Sequence, residues 1–239
     1  MIILHVTDFH FNKRWFDWLP DNAPAHDLLV MSGDMLNLSD PAPHRKQIYW
    51  VADWIRDYPL PIAICSGNHD LEWDPETELW TPAYWLRELA GPHVLTDGQR
   101  VTLDGFSLLS ISCTTRPKGA EADIWVTHAP PTGTVVATRA SGRDAGDRDL
   151  VAPVRRYKPR AVLAGHVHDP RHWFEEKDST LFLNPGRTAN ARIPNHILLD
   201  TRDLSCEFIT ESKRDTRPAR SASGTMVASQ PSEAVPALA

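Results

Sequence analysis

The chain has 239 residues, 41% hydrophobic and 23% charged, a balance that excludes wholesale disorder, collagen and coiled coil and leaves room for a sizeable core. Its formal net charge of −6 speaks against coating nucleic acid or an acidic membrane by bulk electrostatics, so an anionic substrate needs a local positive site. Three widely spaced cysteines, Cys65, Cys113 and Cys206, sit in apolar runs, which suits reduced, buried thiols better than a disulfide framework.

The first apolar run, IILHVTD at 2–8, reads as a buried strand closing on Asp8, with His10 just beyond. No basic segment precedes Asp8 and no stretch approaches the roughly 18 apolar residues of a membrane span. Neither secretion nor membrane insertion is expected, and the expected location is cytoplasmic. DLLVMSGD at 27–34 is a second strand, ending on Asp34, and KQIYWVADWIRDY at 46–58 follows with Ile48, Val51, Ala52 and Ile55 on one helical face. PIAICSGNHD at 61–70 is a third strand, ending on Asn68 and His69, before helical spacing in PAYWLRELAG at 82–91. From Val94 to Cys113 the turn pairs Asp97-Gly98 and Asp104-Gly105 suggest a meander of strands.

DIWVTHAP at 123–130 is a further strand, carrying His128. The long irregular connection at 130–148, with Gly133, Gly142 and Gly146, has the character of a functional loop. A helix at 149–158, despite Pro153, precedes the strand RAVLAGHVH at 160–168, which closes on His166 and His168. LFLNPG, HILLD and CEFI at 181–209 read as short strands. After Ile209 the chain has no aromatic residue and no isoleucine, so residues 1–210 are read as the domain and 211–239 as a disordered tail. Strands alternating with helices, plus meanders, give an α/β domain of one mixed sheet or two sheets face to face.

In open α/β sheets the ligand site lies beyond the carboxyl ends of the strands, so donors at successive strand ends are expected to meet. Asp8, His10, Asp34, Asn68, His128, His166 and His168 are oxygen and nitrogen donors without cysteine, a set suited to Mn, Fe or Zn. Seven donors with one shared carboxylate serve two metals better than one.

These residues fall into five ordered blocks: DFH at 8–10, GD at 33–34, GNHD at 67–70, His128, and GHVH at 165–168. In this the chain resembles the calcineurin-like metallophosphoesterases, and THAPP at 127–131 with NPGR at 184–187 is similar to their small stand-alone bacterial and archaeal members. The resemblance implies a four-layer α/β/β/α sandwich of two mixed β-sheets flanked by helices. It further implies two divalent or mixed-valence ions: Asp8, His10, Asp34 and His168 for one, Asp34, Asn68, His128 and His166 for the other, with Asp34 bridging. His69 would stand beside the leaving group as the catalytic residue. Where many relatives carry a second aspartate after Gly-Asp, this chain has Asn37; lipid-A-pathway relatives carry Arg where His69 stands.

The chemistry explains the residue types. Hydrolysing a phosphate monoester demands rate accelerations up to ~10²¹-fold, and two divalent ions can clamp oxygens and lower a bound water's pKa from 15.7 to about 7. Asp8, Asp34 and a bridging hydroxide, the expected nucleophile, cancel three of the four positive charges that two divalent ions bring, so the cluster stays attractive to phosphate. His69 is the expected proton donor to the leaving oxygen, and Asp70 is the expected carboxylate to orient it.

The function expected is hydrolysis of a small phosphate mono- or diester, with nucleic acid a substrate only when small or terminal, and with an oligomeric state the letters do not encode. Two alternatives stand beside it: a class III cyclic nucleotide phosphodiesterase, which shares GNHD, and a metal-bound protein-interaction module with vestigial catalysis. His5, His26, His44, His93, His172 and His196 lack motif context and are read as packed or surface residues. Trp15, Trp18, Trp73, Trp80 and Trp85 are read as core before pocket lining. Arg139 and Arg143, in the long loop, are read as solvated before phosphate-gripping; so is RRYKPR at 155–160, before any nucleic-acid role.

Overall fold

The structure, a computed structural model, describes residues 1–114 and 119–219. Strand β1 (Ile2–Val6) leads to helix α1 (Lys13–Asn22), β2 (Leu28–Ser32), α2 (His44–Asp57) and β3 (Ile62–Cys65). A hairpin of β4 (Glu72–Asp74) and β5 (Leu79–Thr81) precedes the one-turn α3 (Tyr84–Arg87), β6 (Val94–Leu95), β7 (Arg100–Leu103), β8 (Phe106–Ile111) and β9 (Ile124–Thr127). Helix α4 (Val151–Tyr157), β10 (Ala161–Leu163), β11 (Phe174–Lys177), β12 (Thr180–Leu183), β13 (His196–Asp200), β14 (Cys206–Ile209) and β15 (Arg214–Arg217) follow among the described residues.

One sheet has seven strands in the order β15-β14-β13-β1-β2-β3-β6, the other six in the order β11-β12-β10-β9-β8-β7. Both are mixed. β1, β2, β3 and β6 run parallel, with β13 antiparallel to β1; β8, β9, β10 and β12 run parallel, with β7 and β11 antiparallel at the edges.

Strand alternation sorts the side chains into layers. Ile3, Leu28, Val30 and Ala63 of the first sheet meet Leu108, Ile124, Val126, Ala161 and Leu163 of the second in a shared apolar core. On the outer face of the first sheet, Leu4, Val6, Leu29, Met31 and Ile64 pack under Trp15, Phe16 and Leu19 of α1 and Ile48, Val51 and Ile55 of α2. Trp125, Val162 and Phe182 face Val154 of α4 on the far side. The result is a four-layer sandwich, whose central parallel strands are apolar on both faces because both are covered. Among the described residues no helix is long and apolar enough to cross a membrane, and the three cysteines are free.

Several expectations change in the structure. Of the helix expected at 82–91, only Tyr84–Arg87 is helical, because the Leu89 and Ala90 amides close tight turns onto carbonyls three residues back and Gly91 pairs with Val94. The meander at 94–113 is divided between the sheets: β6 edges the first and β7–β8 the second. Helix α1 was not expected; its buried Trp15, Phe16 and Leu19 span little more than one turn, and Pro20 lies inside it. The tail expectation for 211–239 is corrected at its start, where Arg214–Arg217 pairs antiparallel with β14. An edge strand needs backbone partners more than apolar bulk, and charges hold this one: Arg214 pairs with Glu207 at 2.8 Å, while buried Arg217 pairs with Glu176 and donates to Leu204 O at 2.6 Å. Residues 220–239 of that expectation lie outside the described residues.

Candidate metal centre

The donors sit on loops at the carboxyl ends of β1, β2, β3 and β9 and just past β10. Asp8, His10, Asp34 and His166 all adopt positive φ, at 55°, 43°, 54° and 65°, a conformation non-glycine residues resist. Interlocking backbone bonds hold it: Asp8 N–H to Gly33 O at 3.1 Å, His10 N–H to Asp34 O at 2.9 Å, and Gly165 N–H to His128 O at 2.7 Å. Two glycines are dictated by close approach. A Cβ at Gly67 would lie 2.2 Å from Asp34 Oδ1, and one at Gly165 would lie 1.8 Å from Thr7 Oγ1.

Asp70 does not orient His69. Its carboxylate is fully buried and accepts the amides of Asp34, Met35, Leu36 and Gly67 at 2.8–3.0 Å, so it ties the GD loop to the GNHD loop. Burial, then the neighbouring Asp34 charge, pushes it up to about 8. The direction of a side chain is not written in a four-letter block, and a carboxylate ringed by amides here serves backbone, not catalysis.

The structure brings together the seven expected donors. His10 Nε2 lies 3.0 Å from His168 Nε2, which is 3.2 Å from Asp8 Oδ1. His128 Nε2 lies 3.2 Å from His166 Nδ1, 3.1 Å from Asn68 Oδ1 and 3.4 Å from Asp34 Oδ2. Asp34 Oδ2 is also 3.7 Å from His10 Nε2. Two compact sets result, Asp8–His10–His168 and Asp34–His128–His166, and a third, His10–Asp34–His69, lies between them.

A divalent ion fits this donor set. Bonds of about 2.1 Å at the usual tetrahedral or octahedral angles place donor atoms ~3.0–3.4 Å apart; the His10–His168, His168–Asp8, His128–His166 and His128–Asp34 pairs match this at 3.0–3.4 Å, whereas His10 Nε2 stands 3.8 Å from Asp8 Oδ1. Each carboxylate divides its oxygens: Asp8 Oδ2 accepts Thr7 Oγ1 at 2.8 Å and His166 N–H at 2.9 Å, and Asp34 Oδ1 accepts His69 N–H at 2.8 Å. Asp8 Oδ1, though buried, has no hydrogen-bond partner among the described residues; facing two imidazoles, it is a lone pair awaiting a cation. His128 Nδ1 donates to Ser32 O at 2.8 Å, which leaves Nε2 as the ring atom available to a cation.

Electrostatics agree. Although burial opposes ionisation, His128 holds Asp34 well below the usual carboxylate range, and the His168 imidazole, 3.2 Å from Asp8 Oδ1, lowers Asp8 as well. Burial lowers His10 to about 4 and lowers His166 as well, which keeps both rings neutral, as ligands must be. His128 is the exception: burial opposes its charge, but Asp34 raises it to about 10.

Around the rim stand the expected His69 and residues for which no site role was expected. His69 stacks edge-on against His10 with centroids 4.5 Å apart, and its Nδ1 faces the Leu38 amide at 3.5 Å. His44 Nε2 donates to His69 O at 3.2 Å and meets Trp80 edge-on; no motif announces it. Buried Asn184 donates through Nδ2 to the carbonyls of Val136, Gly165 and Val167, fastening the 130–148 loop to the GHVH turn. Arg139 in that loop lies 3.9 Å from Asp169, and Arg143 is exposed. Trp15 and Trp85 are core residues and Trp18 is half-buried, whereas Trp73 and Trp80 are exposed on the β4–β5 hairpin.

A sequence profile described as calcineurin-like phosphoesterase matches residues 1–170. No curated protein matches. One solved structure, 13% identical, is similar with a TM-score of 0.62 over 88% of this chain and 99% of its own. TT1561 of Thermus thermophilus, 14% identical, gives a TM-score of 0.55 over 90% of this chain and 97% of its own. The Escherichia coli phosphoesterase YfcE, 17% identical, gives 0.41 over 90% of this chain and 96% of its own. At these identities the first two likenesses speak to fold alone.

Proposed function

The chain belongs to the calcineurin-like phosphoesterases, and on that footing we propose that it hydrolyses small phosphate mono- or diesters with two divalent ions of the Mn, Fe or Zn class. Asp8, His10, Asp34 and His168 would hold one ion; Asp34, Asn68, His128 and His166 would hold the other. The observation that carries this reading is the position of Asp34 Oδ2, 3.4 Å from His128 Nε2 and 3.7 Å from His10 Nε2, where one oxygen serves both groups. When bound, the ions would supply Lewis acidity, bringing the pKa of a water toward neutrality and offsetting phosphoryl charge.

The chain's own residues do the rest. Asp8 and Asp34 are ionised and preorganised by Thr7 and by the amides of His166 and His69, so little reorganisation is needed. His69 stands beside the cluster as proton donor to the leaving oxygen. The Leu38 amide at its Nδ1 favours the tautomer with the proton on Nε2. Three free thiols fit a reducing compartment such as the cytoplasm.

The test is a panel of p-nitrophenyl phosphate, bis-p-nitrophenyl phosphate and 3′,5′-cyclic AMP with protein loaded in turn with Mn, Fe or Zn, alongside elemental analysis. Turnover of a p-nitrophenyl ester with two ions per chain is expected. Turnover confined to cyclic AMP would replace the reading with a class III cyclic nucleotide phosphodiesterase. Two bound ions without turnover of any ester would replace it with a metal-bound interaction module.

A further inference from the structure

The NPGR turn at 184–187 lies beyond the residues matched by the family profile, yet it is clamped to the centre. Arg187 N–H donates to His168 O at 2.8 Å, and a Cβ at Gly186 would lie 2.6 Å from that same oxygen. The Arg187 guanidinium lies over the Trp15 ring, 5.6 Å from its centroid. Trp15 in turn packs edge-on against Phe9, between Asp8 and His10. Arg187 therefore stands on the His168 side of His10, whereas His69 stands against His10 itself.

The guanidinium is charged and underused. Its Nε is buried and has no hydrogen-bond partner among the described residues, a costly state for a donor unless a ligand completes it. Asp8 attracts it, and it disfavours a proton on His10, so its field falls on the cluster. Asp8 cannot be its full partner: one carboxylate oxygen is taken by Thr7 and His166, and the other faces His168 and His10.

We propose that Arg187 is a substrate-binding residue whose forked guanidinium grips unesterified phosphoryl oxygens, and that it makes phosphate monoesters the preferred substrate class. This rests on the hydrolase reading above. A monoester presents three unesterified oxygens and up to two negative charges, a diester two and one. A fixed cation with spare donors therefore favours the monoester, and a planar fork serves better than an ammonium.

The experiment compares the metal-loaded wild type with Arg187→Met, which keeps an apolar stem on Trp15, and Arg187→Lys, which keeps the charge without the fork. The readouts are calorimetric titration with inorganic phosphate, KM and kcat on p-nitrophenyl phosphate and on bis-p-nitrophenyl phosphate, and thermal melting. Arg187→Met should lose about 10–100-fold in phosphate affinity and in monoester kcat/KM, under about 5-fold on the diester, with Arg187→Lys intermediate and melting little changed. Unchanged phosphate affinity in Arg187→Met, or equal loss on both esters, overturns the proposal. Should Arg187→Met fold poorly, Arg187→Lys decides: a loss of about 5-fold or more in phosphate affinity supports the assignment and no loss overturns it. Should the wild type turn over neither ester, the hydrolase reading fails, while the phosphate titration still judges Arg187.

Discussion

His128 is the residue on which metal uptake and proton balance meet. In the metal-free chain its ring donates through Nδ1 to Ser32 O and faces Asp34 through Nε2, and Asp34 raises it to about 10. An ion taken up at Nε2 must displace that proton. Calorimetry in buffers of different ionisation heat should therefore find a proton released at pH 7–8, with metal affinity falling up to about tenfold per unit of pH below 10. Uptake without proton release would show His128 neutral before the ion binds and contradict its raised pKa. For His69, replacement by Ala should leave metal content intact and lower turnover by ~10²–10⁴-fold; unchanged turnover would remove it from the mechanism.

At this scale the donors were legible because each closes an apolar run at a strand end, where convergence is a property of the sheet rather than of any one residue. Side-chain direction was not legible. Asp70 follows His69 directly, yet its carboxylate turns to four amides, and His44 reaches His69 O from the start of a helix that carries no site motif.

Among the elements, the NPGR turn after β12 is a strap as well as the carrier of Arg187. Asn184 Nδ2 donates to three carbonyls while its Oδ1 accepts Gly186 N–H at 2.8 Å. Replacing it with Ala leaves buried carbonyls unsatisfied, at roughly 1–3 kcal/mol each. Asn184→Asp keeps the shape but sets a carboxylate against those oxygens. Urea denaturation should therefore rank Asn184→Asp below Asn184→Ala and both below wild type by at least about 2 kcal/mol, and a stability for Asn184→Asp equal to wild type would contradict the strap. The helix over 46–58 was legible from its four apolar positions, and Ile48, Val51, Ala52 and Ile55 are all buried. Helix α1 and the β4–β5 hairpin were not: one is too short for periodicity to show, the other exposes its aromatic residues, Trp73 and Trp80.

In the molecule as a whole, the first sheet buries a histidine in its first strand. His5 lies in β1, fully buried, with Nε2 2.8 Å from Ser32 Oγ, and burial lowers it to about 3 despite the pull of Asp8. Unfolded, it titrates near 6.5. Because the unfolded chain binds the proton first, His5 contributes stability that is complete above about pH 6.5 and is lost as pH falls toward 3. Over that window the stability of metal-free wild type, minus that of His5→Gln, should fall by about 1.4 kcal/mol per unit of pH lost; a difference independent of pH would show His5 charged in the fold.

The four-layer plan was legible from strand–helix alternation together with the family resemblance, but not the allocation of strands to sheets. Apolar runs buried on both faces look alike wherever they go, and β15 is held by ion pairs at an edge. What the layers achieve is to bring three strand ends of the first sheet opposite two of the second, the arrangement on which the proposed sharing of Asp34 rests. Anomalous diffraction from Mn-loaded crystals tests that sharing most directly. Two manganese peaks are predicted on either side of Asp34, one against Asp8, His10 and His168, the other against Asn68, His128 and His166. A single peak, or two that do not both contact Asp34, would contradict the account.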